Sequence, residues 1–198
     1  NLRGDFGFEQ TRTGAGQTVT ILSAANVSFS FTGPESGNAP IAITGARGLL
    51  VLSNRGVAGT LSFNANISSA LRGELTLQIN NTNAPVSVSG VFGSVTLAAG
   101  IYKTIAINDL RIDIPGLTLE GDFSFTSGSI GDETVQVIVG NKINLFVGNN
   151  VSGARIGLEM VDGTAVFLRD EAGDEIGFIT GTVRLVGVPG LVVEATMT

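Results

Sequence analysis

Apolar and polar residues alternate along almost the whole chain. Phe6 and Phe8 alternate with Asp5, Gly7 and Glu9, and Val19 and Ile21 with Thr18 and Thr20. Val27 and Phe29 alternate with Ser28 and Ser30, and Leu61, Phe63 and Ala65 repeat the pattern. It returns at Leu75/Leu77/Ile79, Val86/Val88, Val95/Leu97, Ile105/Ile107, Ile112/Ile114, Leu117/Leu119 and Phe123/Phe125. A period of two is that of a strand with one face buried. No window carries the 3.6-residue apolar stripe of a helix. The stretch GLLVLS at 48–53 is apolar at both phases, which predicts a strand covered on both sides. Turn signals divide the runs: TGAGQ at 13–17, TGPESGNAP at 32–40, SNRG at 53–56, NNTNAP at 80–85, SGSIGDE at 127–133, GNNVSG at 148–153, VDG at 161–163 and DEAGDE at 170–175. Short strands at such spacing predict an all-β fold, an antiparallel meander forming a β-sandwich or barrel-like units, with a β-solenoid as the alternative.

The chain also resembles itself. LRGDFGF at 2–8 lies over LEGDFSF at 119–125, so that Leu2, Gly4, Asp5, Phe6 and Phe8 meet Leu119, Gly121, Asp122, Phe123 and Phe125. APIAITGARGLLVLS at 39–53 lies over ARIGLEMVDGTAVFL at 154–168, with Gly48 on Gly163 and Val51 on Val166. ALRGELTLQ at 70–78 lies over GLVVEATMT at 190–198, with Glu74 on Glu194. The offsets drift through glycine-rich turns, where insertions are tolerated. Two units in tandem follow: a first at 1–118 and a second, incomplete one at 119–198, with 82–118 lacking a second copy.

Composition narrows the functional classes. At 198 residues and 43% apolar, the chain has the means to bury a core. Its 28 glycines suit many tight turns. The net charge of −6 and the absence of any clustered Lys and Arg argue against nucleic acid as a partner. No apolar run approaches the ~20 residues of a transmembrane helix. With no His and no Cys, the usual general base and thiol nucleophile are missing, and no enzyme is expected.

Few residues are candidates for chemistry. Arg3-Gly4-Asp5 spells a tripeptide read by cell-surface receptors on exposed loops, but it lies within an alternating run, and its counterpart is Glu120-Gly121-Asp122. The acidic turns at 129–135, 160–165 and 169–177 offer oxygens for Ca²⁺, with Asp170, Glu171, Asp174 and Glu175 the densest group. Their spacing matches neither an EF-hand nor the glycine-rich calcium nonapeptide, so they are read as solvated hairpin tips. Glycosylation sequons occur at Asn26, Asn66, Asn80 and Asn150. No catalytic, cofactor-binding or metal residue is assigned.

With the L-x-G-D-F-x-F strand, the GNAPIAITGARGLLVLS hairpin and the VPGL turn in view, the chain resembles the long tandem-repeat proteins that bacteria export as adhesins, stalks or surface filaments. That resemblance implies a location outside the cell or on its surface, few cysteines and a mechanical role; it transfers no binding residue. The expected function is a structural repeat module for spacing, adhesion or filament assembly, with neighbouring repeats or identical subunits as partners, joined by strand exchange, and with contact to a cell surface. The alternative is a single barrel or sandwich that binds a hydrophobic ligand or a carbohydrate.

Overall fold

The computed structural model describes residues 2–12, 17–31, 41–68, 71–130, 133–151 and 154–197. These form thirteen strands: β1 (Leu2–Arg12), β2 (Thr18–Phe31), β3 (Ile41–Ser53), β4 (Gly56–Ser68), β5 (Leu71–Asn80), β6 (Val86–Gly90), β7 (Gly93–Leu97), β8 (Tyr102–Ile114), β9 (Leu117–Ile130), β10 (Glu133–Val151), β11 (Ala154–Arg169), β12 (Glu175–Val186) and β13 (Glu194–Met197). Eleven of them make one sheet in the order β1-β2-β3-β4-β5-β8-β9-β10-β11-β12-β13, and β6-β7 is a separate hairpin. The expectation of an all-β antiparallel meander holds. The large sheet does not close into a barrel, because β1 and β13 remain its two edges. Every pairing is antiparallel, whereas solenoid coils pair in parallel. Hydrogen bonding runs through residue 118 without a break, since β8 pairs with β9 from Ile114↔Leu117 to Tyr102↔Gly128.

Because side chains alternate, the sheet has two faces. The hairpin lies on one of them. There Val19, Ile21, Leu49, Val51 and Ala58 form a buried cluster with Val95 and Leu97, and Val86 and Val88 pack against it. The GLLVLS stretch is therefore buried on one side only. Leu49 and Val51 are each 4% exposed beneath the hairpin, while Leu50 and Leu52 on the far face are half-buried. The physical reason is that, among the described residues, the β6-β7 hairpin is the cover, and it lies on one face.

Asn80 holds that cover in place. It is fully buried at the end of β5, and its amide donates to the Ala84 carbonyl at 2.8 Å and the Ala98 carbonyl at 2.7 Å, one on each side of the hairpin. Its oxygen accepts from the Thr82 amide at 3.0 Å and the Thr82 hydroxyl at 2.8 Å. Ser23, also under the hairpin, is the opposite case. It is 4% exposed, and its hydroxyl is the one buried side-chain polar atom without a hydrogen-bond partner among the described residues.

Every pairing of the large sheet except β12-β13 carries a register shift. Several of these bulges hold a residue at positive φ: Asn26 (53°) in β2, Gly45 (62°) in β3, Asp109 (50°) in β8, Lys142 (52°) in β10 and Asp162 (52°) in β11. The VDG sequence at 161–163, read from its composition as a turn, is such a bulge inside β11. Asx residues tolerate the left-handed region, so Asp-Gly serves a bulge as well as a turn. A bulge also re-sets register. Gly45 and Asp162 occupy matching bulges, which places Gly48 against Ala165 rather than Gly163. Likewise Asn64 pairs with Glu74 and Thr182 with Thr196, so the counterpart of Glu74 is Thr196, two residues past Glu194 and on the same face. A second buried cluster forms beside these bulges from Ile143, Met160 and Ala165, with Leu119, Phe123, Leu145 and Val183 against it.

Two stability outcomes are expected. Asn80→Ala strands the two carbonyls and Thr82, and should lower unfolding free energy by about 3 kcal/mol. Ser23→Ala removes an unpaired buried hydroxyl and should raise it by about 1 kcal/mol. Urea unfolding followed by circular dichroism measures both, with unchanged slopes as the control for a common unfolded state.

Candidate functional site

The cross-strand register identifies the residues on each face. On the hairpin face, Ile21 is followed by Val51 and Ala58, and Ser23 by Leu49 and Thr60. In the other half of the sheet, Val137 is followed by Leu168 and Ile176, and Val139 by Val166 and Phe178. These positions stand in the same places relative to the bulges. A polar belt separates the two patches, with Ser62 bonded to Thr76 at 3.0 Å and Thr104 to Thr126 at 3.0 Å. The first patch lies under the hairpin. The second has no such cover among the described residues: Ile176 is 73% exposed and Phe178 54%.

The contrast is sharpest between β4 and β12. Ala58 in β4 is fully buried, and β4 is paired on both edges, by β3 and by β5 from Ala58↔Asn80 onward. β12 is paired with β11 along Glu175–Val186, but with β13 only at Gly181–Arg184. Among the described residues, the outer edge of Glu175–Thr180 has no strand beside it, on the same segment whose face is bare.

The far face holds a second feature, a groove of about 760 Å³ over β1–β5 and β8. Its walls are Phe6, Phe8, Leu22, Leu50, Leu61, Leu77 and Ile105. Its floor is open where Gly48 and Gly59 carry no side chain. A Cβ on Gly48 would stand 2.6 Å from the Thr60 carbonyl oxygen, so the close strand approach excludes a larger residue. The lining holds no carboxylate and a single cation, Lys103, and it suits an apolar occupant.

A charged basin of about 460 Å³ lies at β8–β11. Arg111 bridges Asp113 at 2.7 Å and pairs with Glu120. Glu159 receives Arg155 at 3.3 Å and Arg184 at 2.8 Å, and the Arg155 guanidinium stacks 4.0 Å above the Phe146 ring. The hydrogen bond from Arg111 holds the Asp113 carboxyl below its ordinary range, and Asp113 in turn raises Arg111. Each arginine is matched by a carboxylate, so the basin carries no surplus charge that would recruit an ion. It ties β8, β9, β11 and β12 together across their faces.

The residues singled out in the sequence are dispersed. Arg3-Gly4-Asp5 is part of β1, and Asp5 accepts from the Asn26 side chain at 2.9 Å. At the 169–177 turn, the Asp170 carboxylate accepts from the Asp174 amide at 2.9 Å and Arg169 pairs with Glu175 at 3.6 Å. Asp132 of the 129–135 turn lies outside the described residues, and Asp162 of the 160–165 segment is the β11 bulge. Among the described residues no three His, Cys, Asp or Glu side chains gather where a metal ion would be held. Of the sequons, Asn80 is fully buried and closed to glycosylation, Asn26 is bonded to Asp5, Asn66 is exposed, and the side chain of Asn150 lies outside the described residues. Among the described residues, no helix is long and apolar enough to cross a membrane.

Sequence reasoning passed over the ion-pair basin and the bulge residues. A signal for both exists: INDLRID at 107–113 and GNKINL at 140–145 break the alternation with Asn, Asp and Lys inside otherwise apolar strands. Asp122 joins two such breaks. It accepts from the Lys142 ammonium at 2.7 Å and from the Asp109 amide at 2.9 Å. These bonds, the ammonium first, lower the pKa of its carboxyl, and the same pairing raises Lys142. A carboxyl whose pKa is lower folded than unfolded adds stability above the unfolded value, and that stability is lost as pH falls through the folded value. Asp122→Asn should therefore flatten the acid limb. Between about pH 7 and about pH 3, its urea midpoint should fall less than that of the unaltered chain. Comparison of the chain with protein-family models, with curated proteins and with solved structures found no match.

Proposed function

We propose that this chain is a structural module whose task is extension and assembly: it spans distance as a continuous sheet and joins a neighbouring copy or repeat through β12. The reading extends to a role outside the cell or on its surface, in spacing, adhesion or filament formation, on the strength of the sequence resemblance. One observation carries it, the contrast between β4 and β12. In β4 the edge is closed by β5 and the face by the hairpin, whereas Glu175–Thr180 of β12 has neither among the described residues. An unpaired edge whose adjoining face is apolar favours the addition of a strand, because the new strand makes ladder hydrogen bonds and buries side chains at the same time. Ile176 and Phe178 are the side chains such a neighbour would cover.

The chemistry of the chain agrees with a mechanical role. Glu120 and Glu159 pair with Arg111 and Arg184 across strands, and Asp122 and Asp170 cap a bulge and a turn. The sequence contains neither His nor Cys, the commonest general base and the thiol nucleophile.

The test uses the whole chain at rising concentration, followed by sedimentation velocity and negative-stain microscopy. Linear assemblies are expected, and the double substitution Ile176→Lys with Phe178→Lys should prevent them while leaving the melting temperature within about 2 °C, since both side chains are exposed. Fibres that persist in the double variant, or their absence in the unaltered chain, would remove β12 as the joint.

A further inference from the structure

The far face, opposite the hairpin, carries a row of apolar positions that crosses ten strands. It starts with Phe6, Ala24, Gly48, Leu61 and Leu77 on β1–β5, each directly beside the next in the register. It continues with Ile105, Phe125, Ile138, Phe167 and Gly177 on β8–β12. No charged side chain interrupts it. Phe6 is 63% exposed, Ile105 43% and Phe125 41%, so the row faces outward along its length. We propose that this face is covered by a second copy of the same chain, turned about a two-fold axis parallel to the strands, to give a face-to-face sandwich dimer.

Two observations identify the occupant. The first is size matching within the row when it is read against itself reversed. A two-fold axis between β5 and β8 sets Phe6 opposite Gly177, Ala24 opposite Phe167, and Gly48 opposite Ile138. Each of these pairs a large side chain with a small one or none. Nearer the axis, Leu61 meets Phe125 and Leu77 meets Ile105. The groove over Gly48 and Gly59 is thereby placed under the partner's β10 and β11, whose Ile138 and Phe167 fill it. An isologous interface requires this self-complementarity, because each surface must fit its own image. The rotation also keeps strand directions aligned, as in sandwich packing at about 10 Å between sheets.

The second observation is area. Ten strands spaced about 4.8 Å apart span roughly 45 Å, and two apolar rows, this one and the row through Phe63, Leu75, Ile107, Phe123 and Ala165, extend about 14 Å along the strands. The next row on the opposite side carries Lys103, Arg169 and Glu175 and forms the polar rim. The two apolar rows give on the order of 600 Å² per copy, at the lower end of what a stable interface takes from each partner. The bare patch over β10–β12 on the hairpin face is three strands wide and falls well short of it. The inference concerns the far face and is independent of the β12 joint, so Ile176→Lys with Phe178→Lys, which alters the other face, is expected to leave the dimer intact.

The native absence of cysteine makes the geometry directly testable. Ala24→Cys and Phe167→Cys chains are prepared separately, mixed, and treated with a bismaleimide that spans about 10 Å. Cross-linking is expected in the mixture and not in either variant alone, since like residues lie seven strands apart across the axis. Sedimentation equilibrium of the unaltered chain should show a dimer, and Ile105→Lys should raise its dissociation constant roughly thirtyfold or more. A monomer at concentrations on the order of 100 μM would overturn the proposal. So would cross-linking of Ala24→Cys alone, or a native mass spectrum in which the far face carries a co-purified lipid and no second chain.

Discussion

A strand in a sheet has two faces, and its own ladder hydrogen bonds cover neither. The rest of this structure depends on that constraint. Eleven strands are aligned edge to edge, and among the described residues the cover laid across them is β6-β7, which spans β2–β4 on one face. Where the hairpin lies, Ile21 is 1% exposed and Ala58 fully buried; where it does not, Ile176 and Phe178 at matching positions face solvent. The proposed assembly would meet this unmet demand for burial.

The mid-strand bulges are the second organising element. They break a long ladder at corresponding places on neighbouring strands and bring Asn26, Asp109, Lys142 and Asp162 into the left-handed region. Carboxylates from the adjacent strand bond to the bulged residues, through their side chains or a backbone amide. Asp5 takes the Asn26 side chain, and Asp122 takes both the Asp109 amide and the Lys142 ammonium. The GD pair of the L-x-G-D-F-x-F strand is thus a bulge-capping device at both of its occurrences, which accounts for an aspartate in the middle of an otherwise apolar strand. In its first copy the same pair is part of Arg3-Gly4-Asp5, and its retention in β9 without the arginine points to the bulge rather than to a receptor.

The charged basin beside β8–β12 illustrates how exposed ion pairs serve a large sheet. Surface pairs contribute little singly. Here Glu159 collects Arg155 and Arg184, and Arg111 collects Asp113 and Glu120, so each group is shared between strands and fixes their relative alignment. Alignment matters because a slip by one residue would exchange the two faces of every strand beyond it.

The pattern of the sequence by itself determined the strands, their antiparallel order and the in–out phase of nearly every residue, because a period of two leaves no freedom once one face is apolar. It marked Asn80-Asn81 and the 170–175 segment as turns, and it showed the kinship of residues 2–8 with 119–125. It did not distinguish the Asp162-Gly163 bulge from a turn, since both need the same backbone conformation. It placed Gly48 and Glu74 on counterparts two residues away from those the bulges select, an error invisible to a pattern that repeats every two residues. Which apolar face is covered was decided only by the tertiary structure. Leu49 and Leu50 look alike in the chain, and only the direction in which the β6-β7 hairpin turns, held by Asn80, buries one and leaves the other beside an open groove.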